Sequence, residues 1–222
     1  MWIAQIWRYP VKSMAGERLP AAQLDEEGVA GDRMIQVYSR DGDIVTSRTR
    51  PRLLGHRATL GAGGPLVDGR PWDSESVARD VEAAAGPGAH LVQRSGPERF
   101  DVLPLLVATD GALNAMGQDW RRFRPNLVIG GVAGLAERSW EGRRLQIGNV
   151  IIGVGDLRQR CVMTTFDPDT LAQDPGVLKR VYREFGGVLG LNCSVVRGGT
   201  VKEGDPVALL PVSQRIETAL AP

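Results

Sequence analysis

Short apolar runs separated by turn residues dominate the chain, and segments with helical periodicity are few. Residues 1–8 are predicted to form a strand, and the runs 34–38 and 44–46 flank Asp41-Gly42-Asp43, a composition typical of a hairpin turn. Further strands are predicted at 58–60, 66–67, 127–129, 144–147, 150–154, 189–196 and 207–210. The pattern therefore predicts a mainly β chain with Gly-rich connections, as in barrels and sandwiches.

Three segments carry helical signals. The predicted helices run from a cap at Asp73 or Ser74 to residue 85, from a cap at Thr109 or Asp110 to residue 116, and over residues 175–185. In the last segment apolar residues recur at helical spacing until Gly186-Gly187, which is a typical stop. This apolar stripe favours core packing over a cofactor surface.

The length of the chain allows one large domain or two small ones. We expect an N-terminal β-rich region over residues 1–95. It is expected to pack on a second region, residues 96–222, that forms a β-barrel with two or three helices.

Composition excludes several classes of protein. Hydrophobic residues make up 42% and charged residues 24% of the chain, as in ordinary globular proteins, and the formal net charge is +1. A dedicated nucleic-acid-binding protein would carry a basic excess. No apolar run approaches the length of a membrane span, and the N-terminal residues lack the features of a signal peptide. We therefore expect a cytoplasmic protein that binds neither nucleic acid nor membrane.

Cys161 is the residue with the most informative surroundings. Arg158 and Arg160 flank it, and a positive field favours the thiolate, which is the form that attacks electrophiles and binds metals. A thiolate suits soft or borderline metals rather than magnesium or calcium. No second Cys or His follows at zinc-site spacing, so a metal here would take its other ligands from elsewhere, such as a cofactor. The alternative is a buried apolar cysteine on a strand.

Six short motifs occur in a fixed order along the chain: Tyr9-Pro10-Val11-Lys12-Ser13, Gly31-Asp32-Arg33, Val45-Thr46-Ser47-Arg48, Phe123-Arg124-Pro125-Asn126, the stretch from Arg160-Cys161 to Thr170, and Gly204-Asp205-Pro206-Val207. Each is weak alone, but the ordered set resembles the MOSC family, and within it the amidoxime reducing components and their bacterial relatives. The resemblance implies an N-terminal MOSC β-barrel region followed by the MOSC domain proper.

The resemblance also implies a cofactor and its contacts. MOSC proteins of this branch bind the molybdenum cofactor, a metal held by the dithiolene sulfurs of a pterin that ends in a phosphate. By resemblance Cys161 is the catalytic residue and the metal ligand. The residues implied around the cofactor are Lys12, Ser13, Arg33 and Arg124, and we add Asn126, Arg160 and Asn192 as candidates.

Physical arguments support several of these candidates separately. Lys12 and Ser13 follow a proline in a predicted loop, where an ammonium and a hydroxyl can both meet a phosphate. Arg124 precedes Pro125, which predicts an extended backbone that fixes the direction of the guanidinium. Asn126 offers a donor and an acceptor to a pterin edge. For any single arginine in this Arg-rich chain, the alternative is a solvated surface charge.

Two further pairs of residues leave alternatives open. Asp167 and Asp169 form either a pair of carboxylates for acid–base work or a turn around Pro168, and we favour the turn, with Asp167 also able to orient a metal site. Strand alternation places Cys193 in the core and turns Asn192 to the opposite face, towards a pocket.

The leading hypothesis is a molybdenum-dependent oxidoreductase that reduces N-hydroxylated compounds of the amidoxime or hydroxylamine type. No cysteine spacing fits an iron–sulfur cluster, so electrons are expected from a separate protein, a reductase or a cytochrome b5-like or ferredoxin-like donor. The alternative is a carrier of the molybdenum cofactor or a sulfur-transfer module, in which Cys161 bears a persulfide and no reductase turnover occurs.

Two other chemistries are not expected. A pyridoxal phosphate enzyme needs a Schiff-base lysine, but Lys12 is better placed for phosphate, and Lys179 and Lys202 lie in a predicted surface helix and a turn. A serine hydrolase is not expected because His56 and His90 lie in no recognisable triad setting.

Overall fold

The computed structural model describes residues 1–211, and it contains the three α-helices that the sequence predicts. They are α1 (Glu75–Ala85), α2 (Asp110–Met116) and α3 (Pro175–Phe185). The side chain of the residue before each helix caps its first turn: Ser74 accepts a hydrogen bond from the backbone of Val77, Thr109 from Ala112 and Asp174 from Gly176. Gly117 and Gly186 end α2 and α3 in the left-handed conformation.

Strands make up most of the remaining regular structure, which confirms the expected mainly β class. In chain order they are β1 (Trp2–Arg8), β2 (Glu17–Leu19), β3 (Ala21–Asp25), β4 (Gly28–Val29), β5 (Ile35–Tyr38), β6 (Ile44–Val45), β7 (Ala58–Gly61), β8 (Gly64–Val67), β9 (Arg70–Pro71), β10 (His90–Gln93), β11 (Leu105–Thr109), β12 (Leu127–Gly130), β13 (Arg144–Ile147), β14 (Val150–Gln159), β15 (Val188–Arg197), β16 (Gly199–Lys202) and β17 (Ala208–Leu210).

One eight-stranded sheet organises the chain, in the order β17-β13-β14-β15-β11-β12-β1-β2. Its neighbours pair antiparallel except β11 and β12, which are parallel and are joined through α2. The first strand of the chain, β1, pairs with β12, so the N-terminal segment belongs to the sheet built by the second half. Three smaller sheets combine β10-β5-β6, β16-β3-β4 and β7-β8-β9.

Separate apolar clusters lie beneath these sheets. The largest includes Ile3 and Ile6 of β1 together with Leu105 and Ile152 from the second half of the chain. A second cluster packs α1 against β5 through Val77, Val81 and Ile35. The division of the chain near residue 95 stays a prediction.

The strands that the sequence did not predict are all five residues or shorter: β2, β3, β4, β9, β10, β11 and β16. The predicted strand 150–154 continues to Gln159, because β14 keeps its pairing with β15 through three irregularities of register. Within residues 1–211, no helix has both the length and the apolar character that crossing a bilayer requires.

Candidate functional site

Cys161 lies at the point where β14 ends and a 3₁₀ turn, Val162–Thr165, begins. The backbone N–H of Arg160 donates to the carbonyl of Gly187 at 2.9 Å, which fixes the chain just before the cysteine. The Cys161 carbonyl accepts hydrogen bonds from the Thr164 N–H at 3.1 Å and from the Thr164 hydroxyl at 2.9 Å. Cys161 is half-buried and lines a cleft, so the surrounding backbone is fixed while the residue stays accessible.

The cleft at Cys161 draws its walls from both halves of the chain, and we call it the Cys161 cleft. Its cationic residues are Lys12, Arg33 and Arg48 from the first half and Arg122, Arg124, Arg158 and Arg160 from the second. Among residues 1–211, one carboxylate lines it as well, that of Asp101. Such an excess of positive charge in a narrow space favours an anionic ligand.

Lys12 and Ser13 occupy a turn after β1, as the sequence predicts, and both line the Cys161 cleft. The ammonium of Lys12 pairs with Asp101 Oδ1 at 2.9 Å and donates to the carbonyl of Arg99 at 3.0 Å. The Ser13 Oγ accepts a hydrogen bond from the backbone of Ser47 at 3.0 Å, which leaves its hydroxyl hydrogen free to donate.

Arg33 and Arg124 lie on the ring of a buried tyrosine, Tyr9. Their guanidinium carbons are 5.4 Å and 4.3 Å from the ring centroid, within the range of a cation–π contact. The Tyr9 hydroxyl donates to the carbonyl of Pro125 at 3.1 Å, and burial raises its pKa to about 12 although both guanidinium groups oppose that rise. Arg33 also pairs with the fully buried Asp32. The tyrosine and the aspartate therefore hold the two arginines side by side.

Arg124 is partly buried and Arg160 is buried, so both cations have limited contact with solvent. Burial lowers the pKa of each guanidinium to about 10, and other arginines, Arg33 for the first and Arg158 for the second, contribute to the decrease. Their hydrogen-bond acceptors are neutral carbonyls, that of Met14 for Arg124 and that of Phe123 for Arg160, both at 2.7 Å. Both side chains stay charged at neutral pH, so an anion entering the cleft would gain from each.

Two buried donors in this region have no acceptor. The Nε atoms of Arg122 and Arg160 are buried and lack a hydrogen-bond partner among residues 1–211. Both residues line the Cys161 cleft. Unsatisfied buried donors in the wall of a cationic cleft fit a site built for a ligand with acceptor atoms.

Backbone strain is concentrated at the candidate residues. Five non-glycine residues among those described have positive φ, and three of them are Ser13 at 74°, Arg33 at 52° and Arg124 at 54°. This conformation is costly for residues with a side chain and clusters at functional sites. Gly31, in the Gly31-Asp32-Arg33 motif, has φ 84°, a conformation that favours glycine over residues with a side chain.

The expected extended backbone at Arg124 is wrong. Arg124 has φ 54° and ψ 47°, because it closes the 3₁₀ turn Trp120–Phe123 with its N–H donating to Arg121 O at 3.2 Å. The turn reverses the chain before Pro125, and the left-handed residue is what allows that reversal. The local bias from proline is weaker than this tertiary requirement.

Asp101, Arg48 and Arg158 line the cleft but were not among the predicted cofactor-binding residues, although Arg158 was predicted to favour the Cys161 thiolate and Arg48 lies in one of the motifs. The Asp101 carboxylate pairs with Lys12, with Arg48 and, at 3.2 Å, with Arg158. Burial raises the pKa of Asp101, but the three cations outweigh it and hold the pKa at about 2. Burial lowers the pKa of Arg48, whereas the Asp101 carboxylate and the nearby Cys161 raise it, with a net increase. Arg48 therefore pairs with the carboxylate and lines the same cleft as Cys161.

The two candidate asparagines do not line the Cys161 cleft. Asn126 is fully buried, its Oδ1 accepts from the Leu106 N–H at 3.1 Å, and its Nδ2 donates to Asp32 Oδ2 at 3.2 Å. Asn192 is buried on β15, donates to Asp156 Oδ1 at 3.0 Å and accepts from Arg158 Nη1 at 3.3 Å. Asn192 lines a wider cavity of about 580 Å³ on the outer side of Cys161, here called the outer cavity. Each asparagine is thus hydrogen-bonded to a residue that lines the cleft, Asn126 to Leu106 and Asn192 to Arg158.

The turn interpretation of Asp167-Pro168-Asp169 is confirmed. Asp167 Oδ1 accepts hydrogen bonds from the backbone of Asp169 and from both the backbone and the hydroxyl of Thr170, at 2.9–3.1 Å. The other Asp167 oxygen pairs with Arg122 at 2.9 Å, and Asp169 pairs with Arg121 at 2.6 Å. Both carboxylates are engaged and neither lines the Cys161 cleft. The core position of Cys193 is confirmed too, and burial raises its pKa.

The donor set fits a cofactor that brings its own metal ligands. In the described part of the chain, no three His, Cys, Asp or Glu side chains gather in a way that could hold a metal ion. A metal at Cys161 would therefore have one protein thiolate and would need further ligands from a bound group. The cationic walls and the unpaired buried donors suit a group that also carries a phosphate.

Comparisons with known proteins decide the family. Residues 1–101 match the MOSC N-terminal beta barrel domain, and residues 108–208 match the MOSC domain. The chain belongs to the MOSC family. These matches account for both halves of the chain and confirm the resemblance seen in the ordered motifs.

Several MOSC relatives cover nearly the whole chain. The human mitochondrial amidoxime-reducing component 1 is 27% identical, with 94% of this chain and 82% of the relative covered. The bovine mitochondrial amidoxime reducing component 2 is 26% identical, with 92% and 82% covered. A Drosophila grimshawi molybdenum cofactor sulfurase is 21% identical over 99% of this chain but only 33% of its own length.

A solved structure shares the fold. The YUAD protein from Bacillus subtilis aligns with a TM-score of 0.52 at 15% identity, and the alignment covers 93% of this chain and 97% of that one.

Proposed function

We propose that this chain is a molybdenum-cofactor-binding oxidoreductase that reduces N-hydroxylated compounds with electrons from a separate protein. The observation that carries the proposal is the accessible thiol of Cys161 in a cleft with seven cationic residues and one carboxylate. The names of the amidoxime-reducing relatives supply the reaction class. The names of the relatives and the donor set of the cleft together support the cofactor.

Each part of the cleft has a role in holding this cofactor. Cys161 would provide the protein ligand to the metal, and Lys12, Ser13, Arg33 and Arg124 would hold the phosphate and the pterin. Arg160 would add a buried positive charge, while Asn126 and Asn192 keep their neighbours in place. When bound, the cofactor supplies a two-electron metal centre that can take oxygen from an N–O bond.

The chain itself contributes position, charge and shielding. Arg48 lines the cleft together with Cys161, and the 3₁₀ turn that follows Cys161 fixes the backbone of the cysteine. The outer cavity reaches the same cysteine and is flanked by the apolar residues Val102, Leu178 and Tyr182. A substrate carrying an aromatic or alkyl group would bury it against these side chains with its N-hydroxyl end towards Cys161.

The alternative function is a carrier of the cofactor or a sulfur-transfer module. The similarity to a molybdenum cofactor sulfurase over 99% of this chain favours it. In that case the same cleft would bind the pterin, and Cys161 would bear a persulfide. The two functions differ in turnover, because a carrier does not release a reduced product.

Turnover with an artificial electron donor separates the two functions. Protein purified from a host that makes the cofactor should reduce an amidoxime to an amidine under a chemical reductant. Cys161→Ser should lose this activity, since a hard alkoxide replaces a soft ligand poorly. Cys193→Ala is the matched control, because it removes a thiol that lies in the core and lines no part of the cleft. Full activity of the Cys161→Ser protein, or no turnover by the loaded wild type, would contradict the reductase.

A further inference from the structure

One carboxylate lies among the cations of the Cys161 cleft and forms ion pairs with three of them. The Asp101 side chain pairs with Lys12 at 2.9 Å, with Arg158 at 3.2 Å and with Arg48. Lys12 and Arg48 come from the first half of the chain and Arg158 from β14, so the carboxylate joins the two sides of the cleft.

The charges in this cluster do not balance. Three cations surround one monovalent carboxylate, and two of them are guanidinium groups with five N–H donors each. A carboxylate has only two oxygens and cannot accept hydrogen bonds from all of these N–H donors. A divalent tetrahedral oxyanion offers more charge and more acceptor atoms, and it matches the cluster better than the aspartate does.

Two of the three cations are also held by contacts that do not involve Asp101. Lys12 donates to the carbonyl of Arg99 at 3.0 Å, and Arg158 donates to Asn192 Oδ1 at 3.3 Å. These two cations would therefore keep their positions if the carboxylate left the site.

Asp101 lies in a short irregular segment between two anchored positions. Arg99 has a side chain only 6% exposed and pairs with Glu27 at 2.9 Å, and β11 begins at Leu105. Between these anchors Asp101 and Val102 belong to no regular element, and the Asp101 side chain is 28% exposed. A rotation of this side chain towards solvent would take the carboxylate away from the three cations.

Asp101 and its guanidinium partners line two neighbouring cavities. Asp101, Arg48, Arg158 and Cys161 line both the Cys161 cleft, with about 70 Å³ of free volume, and the outer cavity of about 580 Å³. The ion pairs of Asp101 with the two arginines thus lie where the two cavities share residues.

We propose that Lys12, Arg48 and Arg158 form an oxyanion site that the Asp101 carboxylate fills in the ligand-free chain, and that an external oxyanion enters by exchange with this carboxylate. Asp101 then competes with the external oxyanion. The apparent affinity for the oxyanion is lower because the site is open only while Asp101 is not bound in it. This inference does not depend on the proposed reaction.

Binding of inorganic phosphate to the chain lacking cofactor tests the exchange. Asp101→Asn removes the competitor and should tighten phosphate binding by about tenfold or more in isothermal titration calorimetry. Asp80→Asn is the matched control, because it removes the same charge from an ion pair with Arg70 that lines none of these cavities. Phosphate binding to the Asp101→Asn protein that is no tighter than to wild type and control would overturn the proposal.

A measurement on the wild type covers the case in which Asp101→Asn does not fold. Phosphate should shift the carboxyl carbon resonance of Asp101 towards that of a solvent-exposed carboxylate, since the carboxylate leaves its cation partners, and binding should disappear in Arg158→Gln. Phosphate binding that depends on Arg158 but leaves this resonance unchanged would show that no exchange occurs.

Two sources share the chemistry of this ligand, the phosphate of a bound cofactor and an acidic group on a substrate. If the cofactor is the source, protein isolated with cofactor should no longer bind inorganic phosphate. If a substrate is the source, the loaded protein should still bind phosphate, and phosphate should compete with acidic substrates. A loaded, substrate-bound structure in which Asp101 still contacts all three cations would contradict exchange from either source.

Discussion

At the scale of single residues, the cleft is built from side chains held in costly states. Ser13, Arg33 and Arg124 adopt positive φ, and the guanidinium groups of Arg124 and Arg160 are buried against neutral carbonyls. None of these states is favourable for the folded chain alone. A bound anion would stabilise the two guanidinium groups, which line the cleft where we propose that the ligand binds.

Arg124 allows the cost of its backbone to be measured separately from its charge. Arg124→Ala and Arg124→Gly both remove the guanidinium and should weaken cofactor retention by one to two powers of ten, as expected for a charge-assisted hydrogen bond of about 1.5–3 kcal/mol. Because φ is 54° at this position, the Gly variant should be more stable than the Ala variant by about 1 kcal/mol in urea unfolding. Equal stability of the two variants would show that the backbone is not strained.

The Asp101 ion pairs predict an acid-sensitive part of the stability. The pKa of this carboxyl is about 2 in the folded chain, below its ordinary value of 3.8. A depressed pKa stabilises the folded state above the ordinary value, and this stability is lost as the pH falls from about 5 through 2. The loss amounts to about 2 kcal/mol. Unfolding free energies at pH 6 and pH 3 should therefore differ more for wild type than for Asp101→Asn, and an equal difference would contradict the ion pairs.

At the scale of secondary structure elements, short sequence patterns predicted those elements whose ends are set by residues close together in the chain. The caps at Ser74 and Thr109 and the hairpin between β5 and β6 follow from short sequence patterns, and all are present. The strands β11 and β16 were missed because they are defined by pairing with β12, β15 and β3, which lie far away along the chain. No property of five residues reveals such partners.

The same distinction separates the predicted from the unpredicted parts of the site. Lys12, Arg33 and Arg124 were found because they lie in motifs, and the fold brings them to one cleft with Cys161. Asp101 lies in no motif, and its role follows only from contacts with residues 53 to 89 positions away. Residue type made Asn126 a candidate for the cleft wall, but sequence could not show that its amide is consumed by Asp32 and Leu106.

The N-terminal cap of helix α2, in the connection between β11 and β12, provides a test of stability. The Thr109 hydroxyl accepts from the Ala112 N–H at 3.2 Å and donates to the buried Glu137 carboxyl, also at 3.2 Å. Thr109→Ala removes both contacts and should lower the free energy of unfolding by about 1–2 kcal/mol. Thr109→Ser keeps the hydroxyl and should retain most of that stability. An alanine variant as stable as the serine variant in urea unfolding would show that the cap contributes nothing.

At the scale of the whole molecule, the functional site exists only through the joining of the two halves of the chain. The formal net charge is +1, yet seven cationic residues line one cleft, three from the first half and four from the second. The pairing of β1 with β12 brings the turn at Lys12 and Ser13 beside the turn that ends at Arg124. This arrangement concentrates charge that is otherwise balanced over the surface, and it does so around the accessible cysteine.

The molybdenum content of protein made in a host that synthesises the cofactor, grown with molybdate, tests the central claim most directly. The wild type should contain about one molybdenum per chain by plasma mass spectrometry, as a site with a specific thiolate ligand requires. Cys161→Ala should lose most of the metal, whereas Cys193→Ala should keep it. Wild-type protein without molybdenum, or Cys161→Ala protein with a full complement, would contradict the assignment of Cys161 as the metal ligand.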